Sequence, residues 1–579
     1  MIQPQSRPKI SSVLIVLIVL LSVCPPQAAR AQTSPPDRRF GAVEAFRDPV
    51  AAAEVGVGWE RILLYWSELQ PGGPGDWNPY HVPDDWLNLA AQANREVVGL
   101  IKHTPQWATD GATGCGVPRG LDLPVDDPGN LWANFIRLIT EKYRGRIDHW
   151  IIWNEPDIAP TSYGAEWCGS TEDYYRLLKV AYLAAHEVNP NVTIHLAGLT
   201  HWHDPQFLGR FLKVATDDPG GAEHGFYFDA VSLHIYFKSE TVSDIFRAVR
   251  GTLSAYGIQK PIWLIETNAA TNSDPQWNYP NANYQIDPDE QASFLMQSFA
   301  LALAQGAQRI AVYKWRDQHF PEDGNEPNGI IRPDYTRLPA VEAFRTIVNN
   351  YSGASSARED REAEYTVVTL NRGTRTTRVM WARTAAETTI TLPALASQAM
   401  LIEQNGAERQ ITPNDDGAYT VTLPGARCAD SRGCIIGGRT YLLVEEAAGD
   451  PAPSQPASTP LPENSPTIEA SEVATPTLDS SASPTTTSEP TSTPTSTPTS
   501  TPQPSATPTD TPTPSPVPSP TYTPTPLPPT PTTTPSPTPW PTLPTTSTSR
   551  PAWPLLVGLT LVALAAVVVS TVLRRSPAA

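Results

Sequence analysis

Short apolar runs punctuate the chain between about residues 38 and 351, at 41–46, 62–65, 97–101, 150–153, 192–197, 230–236, 262–265 and 310–313. Each has the length of a strand, and helical stretches with a period near 3.6 lie between several of them. After Asp127-Pro128 the positions Leu131, Phe135, Leu138 and Ile139 mark one such helix. Asp287-Pro288 followed by Asp289 and Glu290 supplies an N-cap, a proline at the first helical position and an acidic first turn for another. Eight strand–helix repeats in about 310 residues predict an α/β fold, a (β/α)8 barrel over 38–351. A doubly wound sheet is the competitor, but no glycine-rich phosphate loop follows an early strand.

Beyond the barrel the pattern shortens. Alternating segments at 365–370, 378–381, 388–392, 419–423 and 441–444, with turn signals such as Asn414-Asp415-Asp416-Gly417, predict a small all-β sandwich over 360–447. Its role is either to bind substrate or to cover the barrel, and the second is favoured. Residues 450–550 are Pro, Thr and Ser repeats with almost nothing apolar to bury, so an extended disordered stalk is expected, open to O-glycosylation. About 20 apolar residues then predict a transmembrane helix over 552–573. Arg574 and Arg575 in the tail, 574–579, should stay in the cytoplasm. At the other end Arg7 and Lys9, an apolar run of about 14 residues and Ala29-Arg30-Ala31 have the order of a secretory signal over 1–31. A lipoprotein reading through Cys24 is weaker, because bulky Val23 precedes it.

Composition narrows the function. A formal charge of −18 argues against nucleic acid as a partner, since phosphate binding needs a basic face. It leaves a neutral carbohydrate open, and 16 tryptophans suit either sugar binding or a large core. Of five cysteines, Cys24 leaves with the signal. Four remain, which in an oxidising compartment suggests Cys428 with Cys434 by proximity and Cys115 with Cys168 by elimination. Unpaired buried thiols are the alternative.

The chemistry sits at two strand ends, where a barrel places its active site. The fourth run ends in Asn154-Glu155-Pro156 and the seventh in Glu266-Thr267-Asn268. The 266 − 155 = 111 residues between them hold three strand–helix units, so both side chains can converge on one cavity. Cleaving a glycosidic bond needs such a pair, one acid to protonate the leaving oxygen and one carboxylate to attack or stabilise the anomeric carbon. An isolated Glu would read as a surface residue; two at matched strand ends do not.

These positions resemble clan A of the glycoside hydrolases, with its Asn-Glu acid/base after strand four and its Glu nucleophile after strand seven. The resemblance covers roughly residues 40 to 445. It implies Glu155 as acid/base, Glu266 as nucleophile and Asn154 on the sugar 2-hydroxyl. Arg61, in a segment similar to family 5, would hold the nucleophile; Tyr236, in His234-Ile235-Tyr236, would hydrogen-bond it. Trp315 would lie under the sugar, and His103 falls near a sugar-binding position of strand three. Trp66-Ser67-Glu68-Leu69-Gln70-Pro71 and Thr104-Pro105-Gln106-Trp107 look more like family 39. Each supporting residue also has a structural reading, Arg61 with a structural carboxylate and Tyr236 and Trp315 as core aromatics. His201-Trp202-His203-Asp204 could ligate a metal, but a polar loop is the favoured reading, and no metal or cofactor is expected.

The expectation is therefore a cell-surface retaining β-glycosidase acting on a β-linked carbohydrate and anchored through its C-terminal helix. A non-catalytic carbohydrate-binding or adhesive protein on a degenerate barrel is the alternative. Glu266→Ala should abolish turnover and leave the thermal melt nearly unchanged. Sugar identity, endo or exo cleavage and oligomeric state do not follow from the sequence.

Overall fold

Eight parallel strands close on themselves: β1 (Phe40–Val43), β2 (Trp59–Tyr65), β3 (Glu96–Lys102), β4 (His149–Ile152), β5 (Thr193–Leu199), β6 (Ala230–Tyr236), β7 (Ile262–Asn268) and β8 (Ile310–Val312). β8 pairs back with β1, so the sheet has no free edge. The computed structural model describes residues 35–277, 284–319, 326–428 and 434–447. The anticipated signal (1–31), stalk (450–550), membrane helix (552–573) and tail (574–579) lie outside them. Among the described residues no helix is long and apolar enough to cross a membrane.

Alternation along the strands sends one set of side chains inward and the other toward the helices. Trp59, Val98, Leu100, Ile151, Ala230, Trp263, Ile265 and Ala311 pack together as their own cluster, the filling of the barrel. Trp59 and Trp263 meet edge to face at 5.6 Å. The helix Leu131–Tyr143 lays Trp132, Phe135, Ile136 and Ile139 on the barrel and leaves Leu138 outside. Its N-cap is Asn130, three residues beyond the Asp127-Pro128 signal.

The helix Pro288–Ala304 begins with a capping box, Asp287 accepting from the Glu290 N–H and Glu290 accepting from the Asp287 N–H. It is buried on every side, because a second layer lies over it. That layer is an antiparallel six-stranded sheet, ordered β14 (Glu408–Ile411), β13 (Ala399–Glu403), β16 (Tyr441–Glu445), β11 (Thr376–Ala382), β10 (Tyr365–Asn371), β9 (Ser356–Arg361). Val368, Leu370, Val379, Trp381, Ile402 and Leu442 of this sheet belong to the same core as the barrel helices. Its other face, with Val367, Met380, Leu401 and Leu443, packs against Ile390, Tyr419, Val421 and Leu423. Those four come from the pair β12 (Thr388–Pro393) and β15 (Ala418–Leu423). The second domain is thus a sandwich whose outer layer is only two strands, and it covers the barrel. Disulfides join Cys115 to Cys168 and Cys428 to Cys434, which sets aside the free-thiol alternative.

Candidate active site

At the C-terminal mouth of the barrel, β2, β4, β6 and β7 bring five side chains to one point, two of them from β6. Glu266 of β7 is almost fully buried, a position a carboxylate occupies only with partners. Arg61 of β2, equally buried, forms an ion pair with its Oε1, and the Tyr236 hydroxyl of β6 donates to its Oε2. Glu155 follows β4 on a backbone that twice turns left-handed, at Trp153 (φ 74°) and Glu155 (φ 45°). Side chains resist that region, and such geometry concentrates at functional sites. The Glu155 N–H donates to the Gly198 carbonyl of β5 (3.1 Å), which holds the turn to its neighbour strand.

His234 of β6 stands between the two carboxylates. Its Nδ1 lies 2.6 Å from Glu155 Oε1 and 3.5 Å from Glu266 Oε2, while its Nε2 has no hydrogen-bond partner. A Glu155 oxygen and a Glu266 oxygen approach within 4.8 Å of each other. Asn154 is buried beside them with its Oδ1 unpartnered and on the cavity wall.

The charges follow from these contacts. Burial by itself pushes the Glu266 carboxyl up, but Arg61, His234 and the Tyr236 hydroxyl outweigh it, so Glu266 is held below the ordinary glutamate range. Burial pushes His234 down, and the two carboxylates more than restore it, to above the usual histidine value. Burial, then the Glu266 charge, hold the Tyr236 hydroxyl protonated far above its usual range, so it stays a donor.

The surrounding cavity has a volume of about 480 Å³, and its wall includes Tyr65, Lys102, Glu166, Trp202, Tyr313 and Glu326 beside the six groups above. None of the first six is among the residues singled out for sugar binding on sequence. Lys102 ends β3 and pairs with Glu166 at 2.6 and 2.7 Å. Only the strand register could have found it, since the adjacent His103 was the candidate. His103 does not line the cavity: it takes a left-handed backbone (φ 66°) and stacks on the Tyr65 ring at 4.6 Å. Burial and then the Lys102 charge push its imidazole down.

Trp315 is likewise displaced from its anticipated place. It is fully buried, edge-on to Phe344, with Nε1 donating to the Asp48 carbonyl at 3.1 Å. β8 ends at Val312, and the cavity aromatic beyond it is Tyr313. The His201 to Asp204 stretch is a loop after β5, as favoured, with Trp202 and His203 on the cavity wall.

Glu155, His234 and Glu266 also satisfy the distances of a three-donor metal group, one atom from each lying within 4.8 Å of the others. Arg61 and Tyr236 already engage both oxygens of Glu266, and a guanidinium is a poor neighbour for a cation. The arrangement suits proton transfer and charge stabilisation.

Residues 127–329 match the family model described as "Glycosyl hydrolase catalytic core". With two carboxylates meeting at the ends of β4 and β7 of an eight-stranded barrel, the chain carries a glycosidase catalytic core. Its fold is that of a family 39 glycoside hydrolase from Bacteroides cellulosilyticus WH2, at 17% identity and a TM-score of 0.54 over 71% of this chain and 81% of that one. A monomeric beta-xylosidase from Caulobacter crescentus CB15 aligns at 14% identity and a TM-score of 0.48, covering 72% and 97%. A GH30 endoxylanase from Clostridium papyrosolvens C71 aligns at 13% and 0.46, covering 71% and 97%. No curated protein matches the chain in sequence.

Proposed function

We propose that this glycosidase cleaves β-glycosidic bonds of a polysaccharide or oligosaccharide with retention, through a covalent glycosyl-enzyme. The observation that carries this is the approach of Glu155 and Glu266 oxygens within 4.8 Å. An inverting enzyme needs room for water between its carboxyl groups, about 6.5–9.5 Å, whereas direct attack requires about 5–5.5 Å.

In the first step Glu266 attacks the anomeric carbon as the glycosidic C–O bond breaks, and Glu155 gives its proton to the departing oxygen. The Glu155 carboxylate so formed accepts from His234 Nδ1–H, a tautomer assigned from the 2.6 Å contact. In the second step Glu155 takes a proton from water, the oxygen bonds to the anomeric carbon and Glu266 leaves. Arg61 and Tyr236 hold Glu266 in one orientation and keep it ionised before attack. Asn154 Oδ1 is free to accept from the sugar 2-hydroxyl. The signal-like N-terminus, the Pro/Thr stalk and the apolar segment 552–573 support action on the outer face of the cell membrane, anchored by that segment.

The test is mass spectrometry of the enzyme treated with 2-deoxy-2-fluoro β-glycosides bearing a good leaving group, alongside release of reducing sugar from a panel of β-glycans. A fluoroglycosyl group on the peptide containing Glu266 is expected. Hydrolysis that yields the inverted anomer would refute the mechanism.

A further inference from the structure

Among the described residues nine tryptophans are fully buried, but Trp202 is 67% exposed and is the one Trp among the large exposed apolar side chains. It is also on the wall of the catalytic cavity. An indole left in water at the rim of a polar cavity has the form of a ligand platform rather than of core.

Its position decides which part of a ligand it meets. Trp202 lies on the loop after β5, and that loop is bound to the turn that carries Glu155. The Glu155 N–H donates to the Gly198 carbonyl, and Asn154 bridges Gly198. Buried Asp157, two residues past Glu155, accepts from Thr200 Oγ1 (2.9 Å) and from the His201 N–H (2.8 Å). The loop of Trp202 is thus tied to the turn of the proton donor, while Arg61, Tyr236 and Tyr313 gather around Glu266. The proton of Glu155 goes to the leaving oxygen, so what lies on the far side of Glu155 from Glu266 is the leaving group.

We infer that Trp202 forms a leaving-group subsite, stacking on a pyranose ring attached to the departing oxygen, so that the substrate is a glycan with a sugar on that side of the scissile bond. This rests on the proposed retaining β-glycosidase reading. In the second step the same platform would hold a sugar hydroxyl in the place of water, which makes it the determinant of transfer to an acceptor sugar as well. Stacking is directionless about the ring normal, so the subsite would tolerate different sugars while demanding a flat apolar face.

The experiment compares two leaving groups on the same glycone, using the full chain. β-Xylosyl, β-glucosyl, β-galactosyl and β-mannosyl fluorides release a bare halide that cannot reach Trp202; the matching β-1,4-linked disaccharides and trisaccharides place a sugar there. For Trp202→Ala, kcat/KM on the oligosaccharide should fall by roughly tenfold or more, with the fluoride rate kept within about twofold. Trp202→Phe should restore most of the oligosaccharide rate, because a flat ring returns. Equal losses on fluoride and oligosaccharide, or no loss on either, would overturn the subsite. So would a wild-type enzyme that cleaves a fluoride but none of the oligosaccharides, and the proposed chemistry would then still stand. Cleavage of neither kind of substrate by the wild type would remove the β-glycosidase reading itself.

Discussion

Gly198 stands so close to the His234 imidazole that a methyl group on it would lie 2.0 Å from Nε2. The ring is fully enclosed and its other nitrogen faces Glu155, so neither side can give way without loosening that contact. Gly198→Ala should lower kcat at least tenfold and cost about 1–3 kcal/mol of stability through overpacking. Steady-state rates and thermal melts measure both. A variant with the wild-type rate would show that the placement of the ring is immaterial.

Glu155→Ala separates acid from base by choice of leaving group. An activated aryl glycoside needs little protonation on departure, so its bond-breaking step should survive far better than that of an unactivated disaccharide. Comparing kcat/KM on the two gives the ratio. Equal losses would remove Glu155 from the acid role.

Glu266→Ala was expected from sequence to spare the melt. The ion pair changes that expectation, because the Ala variant leaves the Arg61 guanidinium buried and unpaired, at a cost of about 3 kcal/mol or more. Glu266→Gln keeps an acceptor for Arg61 and Tyr236 but not the counter-charge, so it should melt between the Ala variant and the wild type, while turnover is lost in both. The carboxyl is depressed in the fold, so its stabilisation is present above the ordinary value of about 4.3 and is lost as pH falls through the folded one. Calorimetry of both variants across that range tests the sign.

Asp157 shows the opposite behaviour. Burial dominates, the Glu155 charge adds to it, and the hydrogen bonds from His201 and Thr200 do not cancel them, so its carboxyl is pushed up to about 6. Protonation is therefore favoured by folding, and the protein loses stability at this residue as pH rises from about 4 to about 6, by about 3 kcal/mol in all. Asp157→Asn has no proton to lose and keeps an acceptor for both bonds. Its stability relative to the wild type, measured by denaturant unfolding, should climb across that window and level off above it. A difference that is flat with pH would contradict the burial argument.

All eight barrel strands were legible because each carries enough apolar residues in a row to be seen without its neighbours. In the second domain β9, β13 and β14 were not, and β13 (Ala399–Glu403) was passed over although it is largely buried. Ser356–Arg361 and Glu408–Ile411 are the edges of the six-stranded sheet, mostly polar and partly exposed, and their pairing partners rather than their composition make them strands. Glu155 and Glu266 stood out by position in the repeat. Trp315 and His103 were misplaced where regular alternation stops, just past the ends of β8 and β3, and where the local backbone rather than the strand period aims each side chain. Lys102 comes from the end of β3 and Glu166 and Trp202 from two separate loops, and nothing in a linear reading puts them around one cavity.

The helix Pro288–Ala304 carries Ser293 and Gln297 on the side turned to the six-stranded sheet, and both are used there. Ser293 donates to Gln404 (2.7 Å), and Gln297 accepts from Ser239 and the Gly437 N–H while donating to the Gly438 carbonyl. Cutting the gene after Tyr351 would strand those groups and bare that side of the helix to water. The barrel and its cover must therefore be expressed, engineered and inherited as one piece, and a catalytic fragment trimmed to the eight-fold repeat is a poor starting point for any of the experiments above.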